Sequence, residues 1–323
     1  MLSAYAPGPK GLERLALAPG AAIPEEVIWL DLLNPTPEEE RQVEQTLGVD
    51  VPTREEMREI ETSNRLYEDN GALYLTTTVL YKADTNLPET TQVTFILAGM
   101  RLVTNRYADL LAFKGFTTFA ETHPTSCGSA ALLLTGLLEA IVNRIADVLE
   151  RVGGDIDTVS LRVFPRTGQR RVSRNYQYEL QQIGQGGELI SKARESLVSL
   201  GRMLVFVQQA VNSQVSTDAR QRFRTLSRDV TAMSDHASFL GDKVQFALDA
   251  TLGMVSIDQN NILKIFSVVT VFLLPPSVIG AVFGMNFSKM PWLHDTWGFW
   301  AAMGLMLVSA IGPWVFFKRK GWL

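Results

Sequence analysis

Two long stretches near the C-terminal end of the chain contain no charged residue. Residues 265–288 form an uncharged run of 24, and residues 296–317 form a second run of 22. As a helix rising about 1.5 Å per residue, each run can cross the ~30 Å hydrocarbon core of a bilayer. Five of the six tryptophans lie in or beside these runs, as is typical of membrane–water interfaces: Trp292, Trp297, Trp300, Trp314 and Trp322. The sequence therefore predicts a two-helix transmembrane hairpin, and the alternative is a pair of buried core helices in a soluble protein.

Charge is distributed unevenly between this hairpin and the rest of the 323-residue chain. Residues 1–262 hold 25 basic and 33 acidic residues, a net charge of −8, whereas the remainder carries +4. Basic residues flank the spans, with Lys264 before the first and Lys318, Arg319 and Lys320 after the second. By the positive-inside rule, both termini are expected in the cytoplasm and the connecting loop outside. The N-terminus has no apolar signal segment, so residues 1–262 are expected to form a cytoplasmic body.

The cytoplasmic body is expected to be an α+β domain. Runs rich in β-branched and aromatic residues predict strands at 27–32, 72–81, 92–97 and 101–104. The segment Asn34-Pro35-Thr36-Pro37-Glu38 supplies a turn, a helix cap and an acidic first helical turn. From 129 to 163 apolar residues recur at helical spacing, and no proline occurs between 166 and 274.

These features predict three regions along the chain. They are an N-terminal α/β domain (1–125), a long-helix region that includes a stalk helix (126–262) and a transmembrane domain (263–323). The transmembrane domain is divided into a first span at about 264–286, an outer loop at 287–297, a second span at about 298–317 and a cytoplasmic tail at 318–323.

One long helix is expected to lead from the body into the first span. After position 216, apolar residues alternate in steps of three and four, which is the pattern of a coiled coil. These residues, here called the heptad seam, are Phe223, Leu226, Val230, Met233, Ala237, Leu240, Val244 and Ala247. The same stepping returns inside the first span with smaller and more polar residues, here called the stepped face: Asn260, Leu263, Ser267, Thr270, Leu274, Ser277 and Ala281. The heptad seam fits packing within the chain or pairing between chains, whereas lipid contact would favour larger aliphatic residues than those of the stepped face.

Two spans cannot enclose a pore alone, so the hairpin either anchors an active cytoplasmic body or assembles with copies into a ring. The first possibility needs chemistry that the sequence does not supply. The one cysteine, Cys127, excludes an internal disulfide and a Cys-cluster zinc site. His123, His236 and His294 have no Cys or carboxylate partner at ligand spacing. The chain is therefore not expected to be an enzyme or to carry a cofactor.

Two further motifs have ordinary structural explanations. Gly184-Gln185-Gly186-Gly187 lacks the Lys-Ser/Thr of a phosphate-binding loop and is expected to connect two helices. A basic run fits a solvated loop or a surface facing anionic lipid: Arg166, Arg170, Arg171 and Arg174.

The end of the first uncharged run carries Gly284-Met285-Asn286, followed by Phe287 and then Met290-Pro291. This triplet at the end of such a span resembles the signature of the CorA family of magnesium and cobalt transporters. Further segments are similar to the enteric branch of that family, at 257–262, 264–269, 274–276 and 317–323. The similarity is continuous from about residue 229 to the C-terminus and looser before it, where 29–32 and 34–36 resemble the family's N-terminal domain.

The resemblance implies a funnel-shaped homopentamer in the bacterial inner membrane, with the first span lining a pore for divalent cations. It implies that five copies of Asn286 form an outer selectivity ring that holds the hydrated ion, and that Asp249 lies near the cytoplasmic mouth. The stepped face agrees with the family at most positions, but it includes Ser267 where the family pattern points to Phe266. With the family register, the expected pore-lining residues are Asn260, Leu263, Phe266, Leu274, Ser277 and Ala281.

Magnesium fits this arrangement physically. Mg²⁺ sheds water reluctantly, and a ring of amide oxygens can hydrogen-bond its hydration shell without stripping it. No acid lies between Asp258 and Asp295, so a hydrated ion would meet only weak sites in the span. Leu263, Phe266 and Leu274 are expected to form apolar constrictions. We expect Mg²⁺ uptake, extending to Co²⁺ and Ni²⁺, with Mg²⁺ also the regulatory ligand. The resemblance implies that the pore closes when cytoplasmic Mg²⁺ occupies acidic sites between subunits, whose residues the sequence does not identify.

The outer loop departs from the family pattern. Where the family usually has Met-Pro-Glu-Leu, this chain has Met290-Pro291-Trp292-Leu293, and Lys289 adds a positive charge. Capture of cations at the outer mouth is therefore expected to differ. Zinc transport of the related ZntB kind is the main alternative, although that branch usually has glycines after its triplet. A membrane-anchored cytoplasmic domain without transport is the second alternative.

Overall fold

The computed structural model describes residues 1–18, 20–85, 87–164, 175–210, 216–285, 292 and 295–320. The chain divides into two compact units, Met1–Asp249 and Ala250–Leu323. One helix of 67 residues begins in the first unit and ends in the second, which confirms the predicted continuous helix. The predicted domain boundaries at 125 and 262 stay predictions.

A seven-stranded sheet lies at the centre of the first unit, with strand order β2-β1-β3-β7-β6-β5-β4. Its strands are β1 (Leu2–Pro7), β2 (Leu12–Leu15), β3 (Trp29–Leu33), β4 (Leu66–Asp69), β5 (Ala72–Tyr81), β6 (Glu89–Ala98) and β7 (Arg101–Arg106). Neighbouring strands are antiparallel except β3 and β7, which pair in parallel from Trp29 opposite Leu102 to Leu33 opposite Arg106.

The four predicted strands correspond to β3, β5, β6 and β7. The bounds of β5 match the prediction, β3 begins two residues later than predicted, and β6 and β7 are longer than predicted. The sequence does not indicate β1, β2 or β4, because none of these short strands contains a β-branched residue.

Helices cover both faces of the sheet and continue beyond it. They are α1 (Pro37–Leu47), α2 (Thr62–Arg65), α3 (Leu111–Ala120), α4 (Ala130–Val163), α5 (Tyr176–Ala210), α6 (Thr217–Phe283) and α7 (Gly298–Arg319), with 3₁₀ turns at Glu56–Arg58 and Pro124–Cys127. The predicted cap of α1 is confirmed, since Thr36 and Glu39 form a reciprocal capping box. Val43 of α1 packs into the core on one face of the sheet. On the other face, the ring of Phe113 in α3 lies 6.4 Å from that of Trp29.

The glycine-rich segment 184–187 lies inside α5, so the expectation that it connects two helices is wrong. A Cβ on Gly186 would lie 3.1 Å from the Ile156 side chain of α4, and a Cβ on Gly187 would lie 3.2 Å from the Val244 side chain of α6. The glycines are therefore contact points at which α4 and α6 approach α5 closely. A long helix with several glycines was not indicated by propensity, because glycine lowers helix stability in isolation.

The heptad seam packs inside its own chain. Six of its residues are buried and the other two are partly buried. Leu240 lies beside Gly153 of α4, and Lys243 makes an ion pair with Asp157 of the same helix at 2.6 Å. Of the two possibilities open from the sequence, packing within the chain accounts for the seam.

Candidate functional site

The second unit contains two helical segments that are long and apolar enough to cross a membrane, one in α6 and one in α7. No residue in the most apolar window of α6 is buried, and almost none is buried in that of α7. The core helices of a soluble protein bury most of their apolar side chains. The alternative of two buried core helices therefore does not fit these segments.

One face of α6 packs against α7. A Cβ on Gly280 would lie 3.2 Å from the Met306 Cε atom, so glycine allows close approach at this point. The rings of Phe272 and Phe317 lie 6.5 Å apart. The partly buried residues of α6 after position 260 lie on or beside this face: Val268, Phe272, Pro275, Pro276, Ile279, Gly280 and Phe283.

The stepped face lies on the opposite side of α6. With 3.6 residues per turn, its mean direction is roughly 170° from that of the partly buried residues. All of its members are exposed in the chain, and so is Phe266. Exposure alone thus does not distinguish Phe266 from Ser267. Among the described residues, α7 covers one side of α6 and leaves the stepped face uncovered.

Two hydroxyl groups of the stepped face, those of Thr270 and Ser277, bond to the helix backbone. Thr270 Oγ1 donates to the Phe266 carbonyl at 2.8 Å, and Ser277 Oγ donates to the Leu273 carbonyl at 2.6 Å. Because each hydroxyl hydrogen is used in this way, the oxygen keeps lone pairs for an outside donor. Water bound to a cation turns its hydrogens outwards. The stepped face is therefore suited to accept hydrogen bonds from a hydrated cation.

The predicted selectivity triplet begins at the end of α6. The Gly284 N–H donates to the Gly280 carbonyl at 2.9 Å, and the Met285 N–H donates to the Val282 carbonyl at 3.3 Å. The second bond spans three residues instead of four, which tightens the last turn. Gly284 and Met285 are both exposed. Asn286 lies outside the described residues, so its role in an outer ring stays a prediction.

Asp249 is the last residue of the first unit. Its side chain is exposed on α6, and its Oδ1 accepts a hydrogen bond from Gln245 Nε2 at 3.1 Å. An exposed carboxylate is available to attract a cation. Its predicted place near the mouth of a pore is not tested within one chain.

A family model described as "CorA-like Mg2+ transporter protein" matches residues 24–319. The chain belongs to the CorA family. It is 33% identical over 297 residues to the magnesium transport protein CorA of Haemophilus influenzae, covering 92% of each chain. It is 31% identical to the protein of the same name from Yersinia pestis over 323 residues, covering 100% of both.

Solved structures show the same fold. The CorA magnesium transporter of Methanocaldococcus jannaschii matches with a TM-score of 0.77 at 20% identity, covering 100% of this chain and 99% of that one. The cytoplasmic domain of ZntB from Vibrio parahaemolyticus matches with a TM-score of 0.58 at 11% identity, covering 78% and 96%. The CorA-type architecture of a sheet domain, long helices and two apolar C-terminal helices is thus confirmed, and so is the resemblance carried by the triplet.

Membership of the CorA-like transporter family agrees with the expectation that the chain is not an enzyme. Within the part of the chain that the structure describes, no three His, Cys, Asp or Glu side chains converge as a metal site. The ring of His123 stacks on Phe119 with centroids 3.8 Å apart. Cys127 is buried, and burial raises the pKa of its thiol. His294 and the arginines between 166 and 174 lie outside the described residues.

One residue of the outer loop makes contacts that sequence reasoning missed. The sequence singles out Trp292 as one of five tryptophans near the membrane interface and as a replacement for the acid that the family usually carries. In the structure, its ring stacks on Phe283 with centroids 6.3 Å apart and planes at 11°, and lies 5.4 Å from the ring of Trp297. The concentration of tryptophans in the hairpin was the available signal, but it indicated only a membrane interface.

Proposed function

We propose that the chain is a Mg²⁺ transporter of the bacterial inner membrane that works as a channel-like homopentamer. The observation that carries the proposal is that α7, the second span of the chain, leaves the stepped face of α6 uncovered. In a membrane, small and polar side chains are directed toward other protein or water and away from lipid. Since two spans cannot enclose a pore, copies of the chain arranged around an axis are needed to cover this face. The relatives named magnesium transport proteins supply the identity of the ion.

The pore in this proposal is lined by the first span. Its lining residues are Asn260, Leu263, Phe266, Leu274, Ser277 and Ala281, with α7 outside them. The accepting oxygens of Asn260 and Ser277 suit an ion that keeps its waters. Five Asn286 side chains form the outer ring after Gly284-Met285, and five Asp249 carboxylates raise the cation concentration at the cytoplasmic end.

Leu263, Phe266 and Leu274 are proposed to close the pore. Rings of apolar side chains exclude water when they are narrow, and a hydrated divalent ion cannot pass without widening them.

The membrane potential drives inward movement with about 4.6 kcal/mol per 100 mV for a divalent ion. We further propose that both termini lie in the cytoplasm. The proposed boundaries of the three domains are 1–125, 126–262 and 263–323.

Cytoplasmic Mg²⁺ is proposed to regulate the pore by binding between subunits. The net charge of −8 on residues 1–262 supports this, since it supplies acidic side chains that neighbouring subunits can share around an ion. If Mg²⁺ joins subunits, its removal loosens the cytoplasmic ring, and a protease should cut residues 166–260 several-fold faster. Equal cleavage rates with and without millimolar Mg²⁺ would contradict this regulation.

Ion flux into proteoliposomes tests the function directly. Under an imposed negative interior potential, we expect Mg²⁺ entry, with Co²⁺ and Ni²⁺ as further substrates. Zn²⁺ entry that depends on a proton gradient, without Mg²⁺ entry, would favour the ZntB-like alternative. Native mass measurement in detergent should show five copies. A monomer or dimer with full transport would contradict the pore, and no flux of any of the four ions would favour a membrane-anchored domain without transport.

A further inference from the structure

The backbone of Trp292 is fixed against the first turn of α7. Its φ is +67°, in the left-handed region that few non-glycine residues adopt. Its carbonyl accepts a hydrogen bond from the Asp295 N–H at 3.3 Å. Gly298 approaches the same carbonyl so closely that a Cβ there would lie 2.3 Å from its oxygen. Any larger residue at 298 would therefore displace Trp292.

The side chain of Trp292 joins the ends of the two membrane helices. On one side it stacks on Phe283, the last residue of α6. On the other side it contacts Trp297, the residue that precedes α7. Although 43% of Trp292 is exposed, its ring contacts these two residues among the described part of the hairpin. Aromatic pairs at these distances add to the stabilisation that burial alone provides.

We propose that Trp292 is a positioning residue for ion selection, acting through Phe283 on the triplet that begins at Gly284. The inference rests on the proposed Mg²⁺ transport. A ring of amide groups discriminates between hydrated ions of similar size only when its members are held to a fraction of an ångström. Phe283 is three positions before Asn286, so the stack fixes the helix end from which the ring residue follows. The chain thus carries a positioning tryptophan at 292, where the family usually carries an acid that attracts ions.

The competing explanation is that Trp292 only anchors the hairpin at the membrane interface, as tryptophans commonly do. An anchor affects how much folded protein is present and lowers the uptake of every ion equally. A positioning residue changes the ratio between ions. The Mg²⁺ to Ni²⁺ uptake ratio of purified protein in proteoliposomes, at equal amounts of assembled protein, separates the two.

The test compares Trp292→Ala, Trp292→Phe and the control Trp300→Ala, whose ring is more exposed and contacts Phe299. Trp292→Ala removes both ring pairs, so Mg²⁺ uptake is expected to fall about tenfold, with the Mg²⁺ to Ni²⁺ ratio falling several-fold. Trp292→Phe keeps a ring on Phe283 and should restore most of the ratio. Trp300→Ala should keep the wild-type ratio.

A second pair of variants tests the Trp292–Phe283 stack without changing a tryptophan. Gly298→Ala should lower the ratio because its Cβ collides with the Trp292 carbonyl, whereas Gly304→Ala in open space on α7 should not. An unchanged ratio in Trp292→Ala and Gly298→Ala overturns the inference, as does a failure of Trp292→Phe to restore it. If the wild-type protein moves none of the ions, the proposed function and this inference both fail. Wild-type flux with unchanged ratios in the variants overturns the inference alone.

Discussion

In the first unit, the heptad seam of α6 is buried against α4 and α5, whereas in the second unit the stepped face of the same helix is uncovered. Both sets of residues follow the same alternation of three and four. The seam consists of bulky apolar residues and alanine, whereas four of the seven residues of the stepped face are polar and the others are two leucines and an alanine. The spacing of the residues therefore indicates that one side of the helix makes contacts, and the residue types indicate what kind of surface it contacts.

The number of available helices explains the difference. Before position 250, α6 has two long neighbours in its own chain, and glycines at 153 and 187 let them approach. After that position α7 is its helical neighbour among the described residues of the unit, and α7 packs on the side away from the stepped face. In the first unit the fold completes its own core, whereas in the second unit the stepped face stays uncovered, and it is there that we propose further chains pack.

The largest expected effect is at the outer end of the uncovered region. Asn286→Ala should reduce Mg²⁺ uptake about 100-fold or more, because it removes five amide oxygens from one ring at about 1 kcal/mol each. Asn286→Asp should also impair flux, since five carboxylates would hold the ion too tightly to release it. Uptake into proteoliposomes at equal pentamer content is the measurement.

Asn261→Ala is the matched control for Asn286, because it removes the same amide from an exposed position of α6 that lies off the stepped face. It should keep wild-type uptake. Normal uptake in Asn286→Ala would refute the assigned ring. A loss in both variants would show that uptake depends on the whole helix and not on that position.

The buried side of the comparison is tested by stability. Leu240 in the seam is 2% exposed, and its truncation leaves a cavity between α6 and α4. Leu240→Ala should lower the free energy of unfolding by about 2–5 kcal/mol. Leu161→Ala on α4, where the leucine is 58% exposed, should cost less than about 1 kcal/mol. Thermal unfolding of the full chain in detergent gives both values. Equal losses would mean that the seam is no better packed than the surface.

A leucine of the uncovered face should behave differently from a leucine of the seam. Leu274 is 59% exposed, and in a pentamer its side chains would meet at the axis. Leu274→Ser should wet this constriction and raise basal flux at high internal Mg²⁺ about tenfold, since an apolar ring of this kind conducts only when it widens. The control is Leu307→Ser on α7, which lies outside the proposed pore lining, is 63% exposed and should leave the leak unchanged. A lower leak together with a destabilised pentamer would show that Leu274 is a packing residue and not a gate.

Part of the fold could be predicted because its signals are local. The charge-free spans, the cap at Thr36 and the β-branched and aromatic run of β5 each depend on a few neighbouring residues. β1 and β4 lack such a signal in their own residues. They are stabilised by pairing with β3 and β5, which a local sequence pattern does not show. The glycines of α5 misled the prediction for the same reason: their value lies in the approach of Ile156 and Val244, which only the tertiary structure shows.

The sequence predicts which side of α6 forms the candidate site, but it does not predict the side-chain contacts around that site. The stepping from Asn260 to Ala281 was visible in the sequence, and the structure places it opposite α7. The choice between Phe266 and Ser267 was not resolved by exposure, because both lie on the uncovered side. The Trp292 stack could not be predicted, since it depends on the left-handed backbone at Trp292 and on the missing Cβ of Gly298.

The smallest expected effect concerns Glu139, a partly buried acid on α4 of the first unit. Burial raises its pKa above the ordinary 4.5, Asp218 and Asp229 of α6 add to the rise, and Arg222 opposes it. The folded state therefore holds this proton more tightly than the unfolded state. The resulting stabilisation is present below the ordinary pKa and is lost as the pH rises through the pKa of the folded protein.

Glu139→Gln cannot ionise, so it should unfold at a higher temperature than the wild-type protein at neutral pH and at the same temperature near pH 4. The gain should stay under about 1 kcal/mol, because the group is only partly buried and water screens its charge. Glu150→Gln, an exposed position on the same helix, should stay within about 0.5 kcal/mol of the wild type throughout. If Glu139→Gln is instead less stable at neutral pH, the attraction between Glu139 and Arg222 outweighs the burial of the carboxylate. The contact between α4 and α6 would then depend on that attraction as well as on the apolar seam.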